Sequence, residues 1–177
     1  MVLDNEYVLK ASEAELENYF IDKVTIDPLK LHVDQKYIKD QSGTQIDVSH
    51  DFRRGVFPGE RAVVRGTTIQ IAIPFEGDPM LWRVRASTYS MSGYPEIDIR
   101  GNEISFNISF PDDSVNADRI QADINNNVQS LKSAVGYLGN DVANHNNSAP
   151  NTIKQTLQNK IRTAKTTIGA VASLEFL

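Results

Sequence analysis

Apolar and polar residues alternate strictly in two segments in the middle of the chain. Isoleucine and phenylalanine occupy every second position there: Ile69, Ile71, Ile73 and Phe75 in one segment, and Ile104, Phe106, Ile108 and Phe110 in the other. A period of two is typical of a β-strand that buries one face and exposes the other. Both segments are therefore predicted to be strands, and another layer must cover their apolar faces.

Two shorter segments complete the predicted β region. The run MLWRVRAS places tryptophan, valine and alanine on one side of an extended chain and Arg83 and Arg85 on the other, which predicts a third strand. The run EIDIRGNEISF predicts a hairpin, because Gly101 and Asn102 suit the tight turn between two antiparallel strands. We expect these strands to form one small, mostly antiparallel sheet.

A short helix is predicted near the start of the chain. Ser12 and Glu15 have the spacing of a capping box, in which each side chain can satisfy a free amide of the first helical turn. Leu16, Tyr19 and Phe20 then fall on one helical face. The pattern indicates a short helix that begins next to Ser12.

After Pro111 the hydrophobic period changes from two to between three and four. Apolar residues then recur on one helical face: Ala117, Ile120, Ile124, Val128, Leu131, Val135, Leu138 and Val142. This spacing predicts a long amphipathic helix. Asp112, Asp113 and Ser114 are side-chain types favoured at helix N-termini, so we expect the helix to begin there.

A second long helix is predicted after a turn. The run NHNNSAP is rich in turn-forming residues, and its Pro150 suits the first turn of a helix. Further apolar positions have helical spacing: Ile153, Leu157, Ile161, Ala164, Ile168, Val171 and Leu174. Because a short connection between two amphipathic helices favours antiparallel packing, these residues predict an αα-hairpin.

The predicted fold class is α+β, with a small, mostly antiparallel sheet, a short N-terminal helix and a long antiparallel αα-hairpin. We expect a mainly β domain over residues 1–111 and the helical hairpin over residues 112–177. The candidate interface residues of the helices are Ile120, Ile124, Val128, Leu131, Val135, Leu138, Ile153, Leu157, Ile161 and Ile168. Whether they pack on the chain's own sheet or on a partner subunit is left open by periodicity.

Composition narrows the class of protein. The 177 residues are 40% hydrophobic and include no cysteine, so disulfides, thiolate metal sites and a cysteine nucleophile are excluded. The N-terminus lacks the basic and apolar regions of a secretory signal, and no segment has the roughly 18 consecutive apolar residues of a membrane span. We therefore expect a cytoplasmic protein that does not enter a membrane.

Charge is distributed unevenly although the net charge is only −5. Residues 1–49 hold five lysines and ten acidic residues, whereas residues 50–100 hold seven arginines, six acidic residues and no lysine. No segment is basic enough to predict binding to nucleic acid.

Candidate catalytic and metal-binding chemistry is sparse. His32, His50 and His145 lie far apart and lack the short spacings of metal ligands, so no metal or cofactor is predicted. Ser49, His50 and Asp51 are adjacent, but neighbouring side chains diverge along an extended chain and do not assemble a catalytic triad. No catalytic residue is predicted, and we do not expect an enzyme.

The arginines of the middle segment are the candidate binding residues. Arginine is favoured over lysine where a planar donor fork must bind a carboxylate or phosphate, or stack on an aromatic ring. The candidates are Arg53, Arg54, Arg61, Arg65, Arg83 and Arg85. They predict a surface for an anionic ligand or an acidic partner, and the alternative is a sheet face covered by salt bridges.

Three runs resemble a region of known bacterial proteins. IPFEGDPMLWRVRASTYS, GNEISFNISFPDD and IQADINNNVQSL, within residues 65–175, resemble the N-terminal half of multidomain proteins of the antiphage-defence type. In that family a small β unit and a helical pair precede an effector domain. The resemblance implies a regulatory or assembly role for this chain, with the chemistry in another domain.

The chain ends in the apolar run VASLEFL, which suggests either docking on its own core or continuation into a longer polypeptide. The leading hypothesis is a non-catalytic assembly or regulatory module that associates with itself or with a protein partner. One alternative is a sensor that binds an anionic ligand or a phage component through its arginines. A virion structural protein is a second alternative.

Overall fold

A computed structural model describes residues 12–57, 59–89 and 93–172 of the chain. Its two α-helices are α1, Glu13–Val24, and α2, Ala117–Ala172. Its strands are β1, Lys30–Leu31; β2, Tyr37–Asp47; β3, Val63–Glu76; β4, Asp98–Arg100; and β5, Glu103–Pro111. Short 3-10 helices span Val33–Gln35, Phe52–Arg54, Pro79–Arg83 and Asp112–Ser114. The predicted α+β class, with a small antiparallel sheet and a short N-terminal helix, is confirmed.

The sheet is built around its longest strand, β3. All pairings are antiparallel, and the strand order is β1-β3-β5-β4. Strand β2 pairs along the first part of β3, from Asp47 opposite Val63 to Tyr37 opposite Ala72. Strand β5 occupies the other side of β3.

The two alternating segments of the sequence form the apolar centre of this sheet. Cross-strand register aligns three pairs of apolar residues: Ile69 with Ile108, Ile71 with Phe106, and Ile73 with Ile104. All six side chains are buried. On the opposite face the Thr68 and Ser109 hydroxyls are 2.7 Å apart, and the cross-strand pair of Ala72 and Ser105 is also buried. Alternation therefore predicted both strands and their buried face correctly.

The hairpin predicted at residues 101 and 102 is also present. Arg100 of β4 pairs with Glu103 of β5, which leaves a two-residue turn between the strands. Gly101 has a φ of 58°, a left-handed conformation that glycine adopts without steric cost.

Residues 28–139 and residues 12–27 with 140–172 form two compact units, and α2 contributes residues to both. This division does not follow the boundary expected between residues 111 and 112, because the first part of the long helix belongs to the same unit as the sheet.

In the unit of residues 28–139, the first part of α2 contributes three buried side chains, those of Val128, Leu131 and Leu138. The predicted interface residues Ile120, Ile124 and Val135 are half-buried. The stripe that the sequence indicated thus faces the interior of this unit.

In the other unit, α1 packs antiparallel to the second part of α2. The C-terminal end of α1 bonds to α2 at His145, while Glu13 at its N-terminus lines a cleft with Ile161 and Lys165. Leu16 is the buried residue of α1, and Leu157 is buried in α2. Of the other predicted interface residues, Ile153 and Ile161 are half-buried and Ile168 is 49% exposed.

The predicted αα-hairpin is wrong, because residues 117–172 form one continuous helix with Pro150 inside it. The reason is that the segment expected to form a turn, residues 144–150, contacts the residues that follow α1. The Asn146 side chain accepts a hydrogen bond from the Ile26 amide at 3.0 Å and donates one to the Ile26 carbonyl at 2.9 Å. The ring Nε2 of His145 is 2.9 Å from the Val24 carbonyl oxygen. Helix α1 thus packs against the segment of α2 that was predicted to be the second helix of the hairpin.

The C-terminal run 173–177 and the expectations attached to it lie outside the described residues. Likewise, the structure describes the backbone of Val171 but not its side chain, so that end of the predicted stripe has no described contacts.

Replacing Pro150 with alanine should raise the free energy of unfolding by about 1–3 kcal/mol. Proline in a helix interior removes an amide donor and crowds the preceding turn, whereas alanine does neither. Urea unfolding followed by circular dichroism measures the effect. Pro79→Ala is the matched control, because Pro79 lies in the first turn of its helix. A loss of stability in Pro150→Ala, as expected at the start of a second helix, would contradict the continuous helix.

Replacing Asn146 with alanine should lower the free energy of unfolding by about 1–3 kcal/mol. The change leaves both backbone groups of Ile26 without their partner in a partly buried position. Asn147→Ala is the control, because Asn147 is an exposed asparagine of the same helix. Equal effects of the two substitutions in urea unfolding would show that the contact to Ile26 contributes nothing.

Candidate functional site

The unit 28–139 contains a cavity of about 520 Å³. Its walls come from residues 82–89, residues 94–97 and the segment 131–138 of α2. We call it the arginine–aromatic cavity, after the six side chains that define its chemistry: Trp82, Arg83, Arg85, Tyr89, Tyr94 and Tyr137. Its volume lies in the range of about 300–1,000 Å³ typical of small-molecule sites.

A short 3-10 helix positions Trp82 in this cavity. The Asp78 carboxylate accepts a hydrogen bond from the Met80 amide at 2.8 Å, and Pro79 occupies the first helical turn. The helix buries Leu81 and packs the Trp82 ring edge-on against Phe75 of β3, with 5.6 Å between ring centroids. The core of the sheet thereby fixes one wall of the cavity.

The indole nitrogen of Trp82 is a buried donor without a partner. Among the described residues, no group accepts a hydrogen bond from its Nε1. Buried polar groups are nearly always paired, since an unpaired one costs the free energy of its lost hydration. Because this atom is closed to solvent, a ligand in the open cavity would not reach it without a rearrangement of the wall.

The cationic side chains of the cavity are not balanced by acidic ones. The Arg85 guanidinium carbon lies 4.7 Å from the centroid of the Tyr89 ring, which is the geometry of a cation–π contact. Arg83 and Arg85 are both exposed, and no aspartate or glutamate is among the described residues that line the cavity. The cavity therefore presents two positive charges, one of which is held by an aromatic ring.

The floor of the cavity is apolar. Leu131 and Leu138 of α2 are buried below it, and Ala86 is buried beside them. The site thus combines an apolar floor, aromatic walls and exposed guanidinium groups.

The strand predicted for MLWRVRAS is wrong. Pro79–Arg83 is a 3-10 helix, and the following residues as far as Tyr89 have no regular secondary structure. The capping Asp78 and Pro79 favour a helical turn, and Trp82 packs on Phe75, so local alternation is not the deciding influence. Arg83 and Arg85 nevertheless line the same cavity.

The six candidate arginines do not form one surface. Arg53 and Arg54 line a second cleft near the start of α2, away from Arg83 and Arg85. Arg61 lies 3.4 Å from the Asp47 carboxylate, and Arg65 is exposed on β3. The structure therefore brings together two of the candidates in the arginine–aromatic cavity.

Arg54 is engaged in a structural clamp. Its guanidinium donates two hydrogen bonds to Asp113, at 2.6 and 2.7 Å, and one to Asp51 at 3.2 Å. The hydrogen bonds from Arg54 hold the pKa of Asp113 below its ordinary value and raise that of Arg54. Because its charge is already neutralised, Arg54 fits the salt-bridge alternative better than an anion site.

The clamp also explains why α2 begins later than expected. Asp112–Ser114 is a separate 3-10 helix, and Asp113 binds Arg54 instead of a helix terminus. Asn116 caps α2, since its side chain accepts a hydrogen bond from the Arg119 amide at 2.9 Å. The expected start at residues 112–114 is wrong by one short turn.

Among the described residues, the histidines and acidic residues form no metal site, and Ser49 and Asp51 are engaged in local contacts. No group of three or more histidines and acidic residues in 12–57, 59–89 and 93–172 could hold a metal ion. Ser49 accepts a hydrogen bond from the Ala62 amide and Asp51 binds Arg54, so each serves the local chain.

No protein-family model matches this chain, and no curated protein or solved structure is significantly similar to it. The described part of the chain contains no helix long and apolar enough to cross a membrane.

The aromatic members of the cavity were not among the sequence candidates. Trp82 was assigned to a strand face, and Tyr137 lies beside the apolar stripe of α2 and has no separate periodic signal. The available signal was the density of aromatic residues around Arg83 and Arg85, since Tyr89 and Tyr94 follow closely.

Replacing Asp113 with asparagine should reduce the dependence of stability on acid pH. A carboxyl whose pKa is lower in the folded than in the unfolded state stabilises the fold above its ordinary value of 3.8. That contribution is lost as the pH falls below this value. Urea unfolding at pH 7 and pH 3 should therefore show a smaller difference in the variant than in the wild type. The exposed Asp34→Asn substitution is the control, and an unchanged difference in Asp113→Asn would contradict the clamp.

Proposed function

We propose that this chain is a non-catalytic binding module whose arginine–aromatic cavity binds an anionic small molecule. The observation that carries the proposal is the meeting of Arg83 and Arg85 with four aromatic rings in one cavity that has no acidic lining residue among those described. In the context of a longer protein, such a module would act as a sensor. Two of the candidate arginines, Arg83 and Arg85, support this role because they line the same cavity.

The physical basis is the way arginine binds anions. A guanidinium offers five donors in a fixed plane, so it can form two parallel hydrogen bonds to a carboxylate or phosphate. Packing of Arg85 on the Tyr89 ring restricts its orientation, which lowers the entropy lost when a ligand binds. The cavity is thus partly organised for an anion before the anion arrives.

A binding role is favoured over catalysis by the residue types at the site. The described lining supplies neither a carboxylate nor an imidazole, the groups most often used for proton transfer. We propose in addition the regulatory role that the resemblance to antiphage-defence proteins implies. Its support is that resemblance, carried by the runs within residues 65–175.

A thermal-shift screen with nucleotides, sugar phosphates, inorganic phosphates and dicarboxylates tests the binding function. A ligand at about 100 times its Kd adds about 2.7 kcal/mol to the stability, which raises the Tm by about 5–10 °C for a chain of this size. At least one compound should do this for the wild type and not for Arg83→Gln with Arg85→Gln.

The matched control for this screen is Arg53→Gln with Arg65→Gln. It removes two exposed arginines that lie outside the arginine–aromatic cavity, so the net charge changes equally. The control should keep the wild-type response. A screen in which no compound stabilises the wild type, or in which both double variants lose the response equally, would overturn the proposal.

Self-association is a second candidate function, and the free edge of β2 favours it. Strand β2 is 11 residues long and pairs with β3 along one edge, and no described strand pairs with its other edge. Such an edge is a template for pairing with another strand. A second copy centred on Ser42 would place Asp40 opposite Thr44 and Gln41 opposite Gly43, so no like charges would meet.

Sedimentation over a concentration series tests this second function. The wild type should form dimers as its concentration rises, and Ser42→Lys should weaken them about tenfold or more, because it sets two like charges opposite each other. Asn107→Lys is the control, since it adds the same charge to an exposed position of β5. A wild type that stays monomeric at high concentration would exclude this function.

A further inference from the structure

We infer that the ligand of the arginine–aromatic cavity is a mononucleotide, whose base contacts the aromatic walls and whose phosphate binds Arg83 and Arg85. The inference rests on the proposed function and narrows its ligand class. Two separate features of the cavity point to this class: its aromatic rings, and its volume together with its charge.

The aromatic rings exceed what an inorganic anion or a sugar phosphate requires. Besides Tyr89, whose ring contacts Arg85, the cavity is lined by Trp82, Tyr94 and Tyr137. These three residues come from three different segments of the chain and meet at one cavity. Aromatic side chains of this kind form stacking surfaces for nucleobases, and every base has an aromatic face.

Size and charge favour a free mononucleotide over a nucleic-acid strand. The cavity of about 520 Å³ is large enough for one base and its sugar phosphate. Two arginines match one phosphate group, and the chain as a whole has a net charge of −5. A strand of nucleic acid needs a positively charged groove that follows several phosphates.

Calorimetric titration with AMP, GMP, CMP and UMP tests the inference, with ribose 5-phosphate and adenosine as partial ligands. At least one nucleotide should bind about 10- to 100-fold more tightly than ribose 5-phosphate, because base stacking contributes a factor of this order. Trp82 is the sole tryptophan, so the same nucleotide should also change its fluorescence in a saturable manner.

Three variants assign the two ends of the ligand, and a fourth is the control. Arg83→Gln with Arg85→Gln should abolish the advantage of AMP over adenosine. Tyr137→Leu should weaken the best nucleotide about tenfold, while Tyr137→Phe, which keeps the ring, should bind within about threefold of the wild type. Tyr19→Leu is the control, because Tyr19 is an exposed tyrosine of α1. Circular dichroism checks that each variant is folded.

The outcomes separate this inference from the proposed function. If ribose 5-phosphate or pyrophosphate binds at the arginines as tightly as every nucleotide, the anion site stands and the nucleotide inference is wrong. If neither nucleotides nor any other anion binds the wild type, both are wrong. Equal loss of binding in Tyr137→Phe and Tyr137→Leu would also overturn the role of the aromatic ring.

Discussion

The structure depends on burial of the apolar face shared by β3 and β5. Ile73 and Ile104 are completely buried on this face, and Phe75 is 2% exposed at its end. The ring of Trp82 packs on Phe75, so the 3-10 helix that carries Trp82 is tied directly to the sheet core. Because Arg83 and Arg85 follow Trp82 within three residues, the same contact brings their guanidinium groups to the arginine–aromatic cavity. Hydrophobic burial in the sheet thus positions the chemistry of the candidate site.

Local periodicity predicted those parts of the fold in which burial alone decides the structure. The alternation through Ile71 and Phe106 predicted two strands, and the helical spacing through Leu131 and Leu157 predicted the stripes of α2. It failed where tertiary contacts override local preference. Residues 144–150 have the composition of a turn, yet they are helical and hold the chain at Ile26 through side-chain hydrogen bonds. The aromatic part of the candidate site was missed because residues with no common period meet only in the folded chain.

The position of the apolar stripes changes the balance between the two proposed functions. The sequence left open whether the apolar stripes of the helices pack within the chain or on a second subunit, and Leu138 and Leu157 are buried within the units of the chain itself. Support for self-association therefore comes from the edge of β2 instead. The arginine–aromatic cavity supports the binding function independently, and the two proposals can hold together, since the edge of β2 and the cavity share no lining residue.

The most direct measurement of the central claim follows the indole N–H signal of Trp82 by NMR. The chain has a single tryptophan, so a ¹H–¹⁵N correlation spectrum contains one indole signal, and it reports on a residue that lines the cavity. During titration with the best-binding nucleotide, the account predicts a saturable shift of this signal, because the ring current of a bound base changes the magnetic environment of the cavity wall. A signal that stays in place throughout the titration would contradict the account.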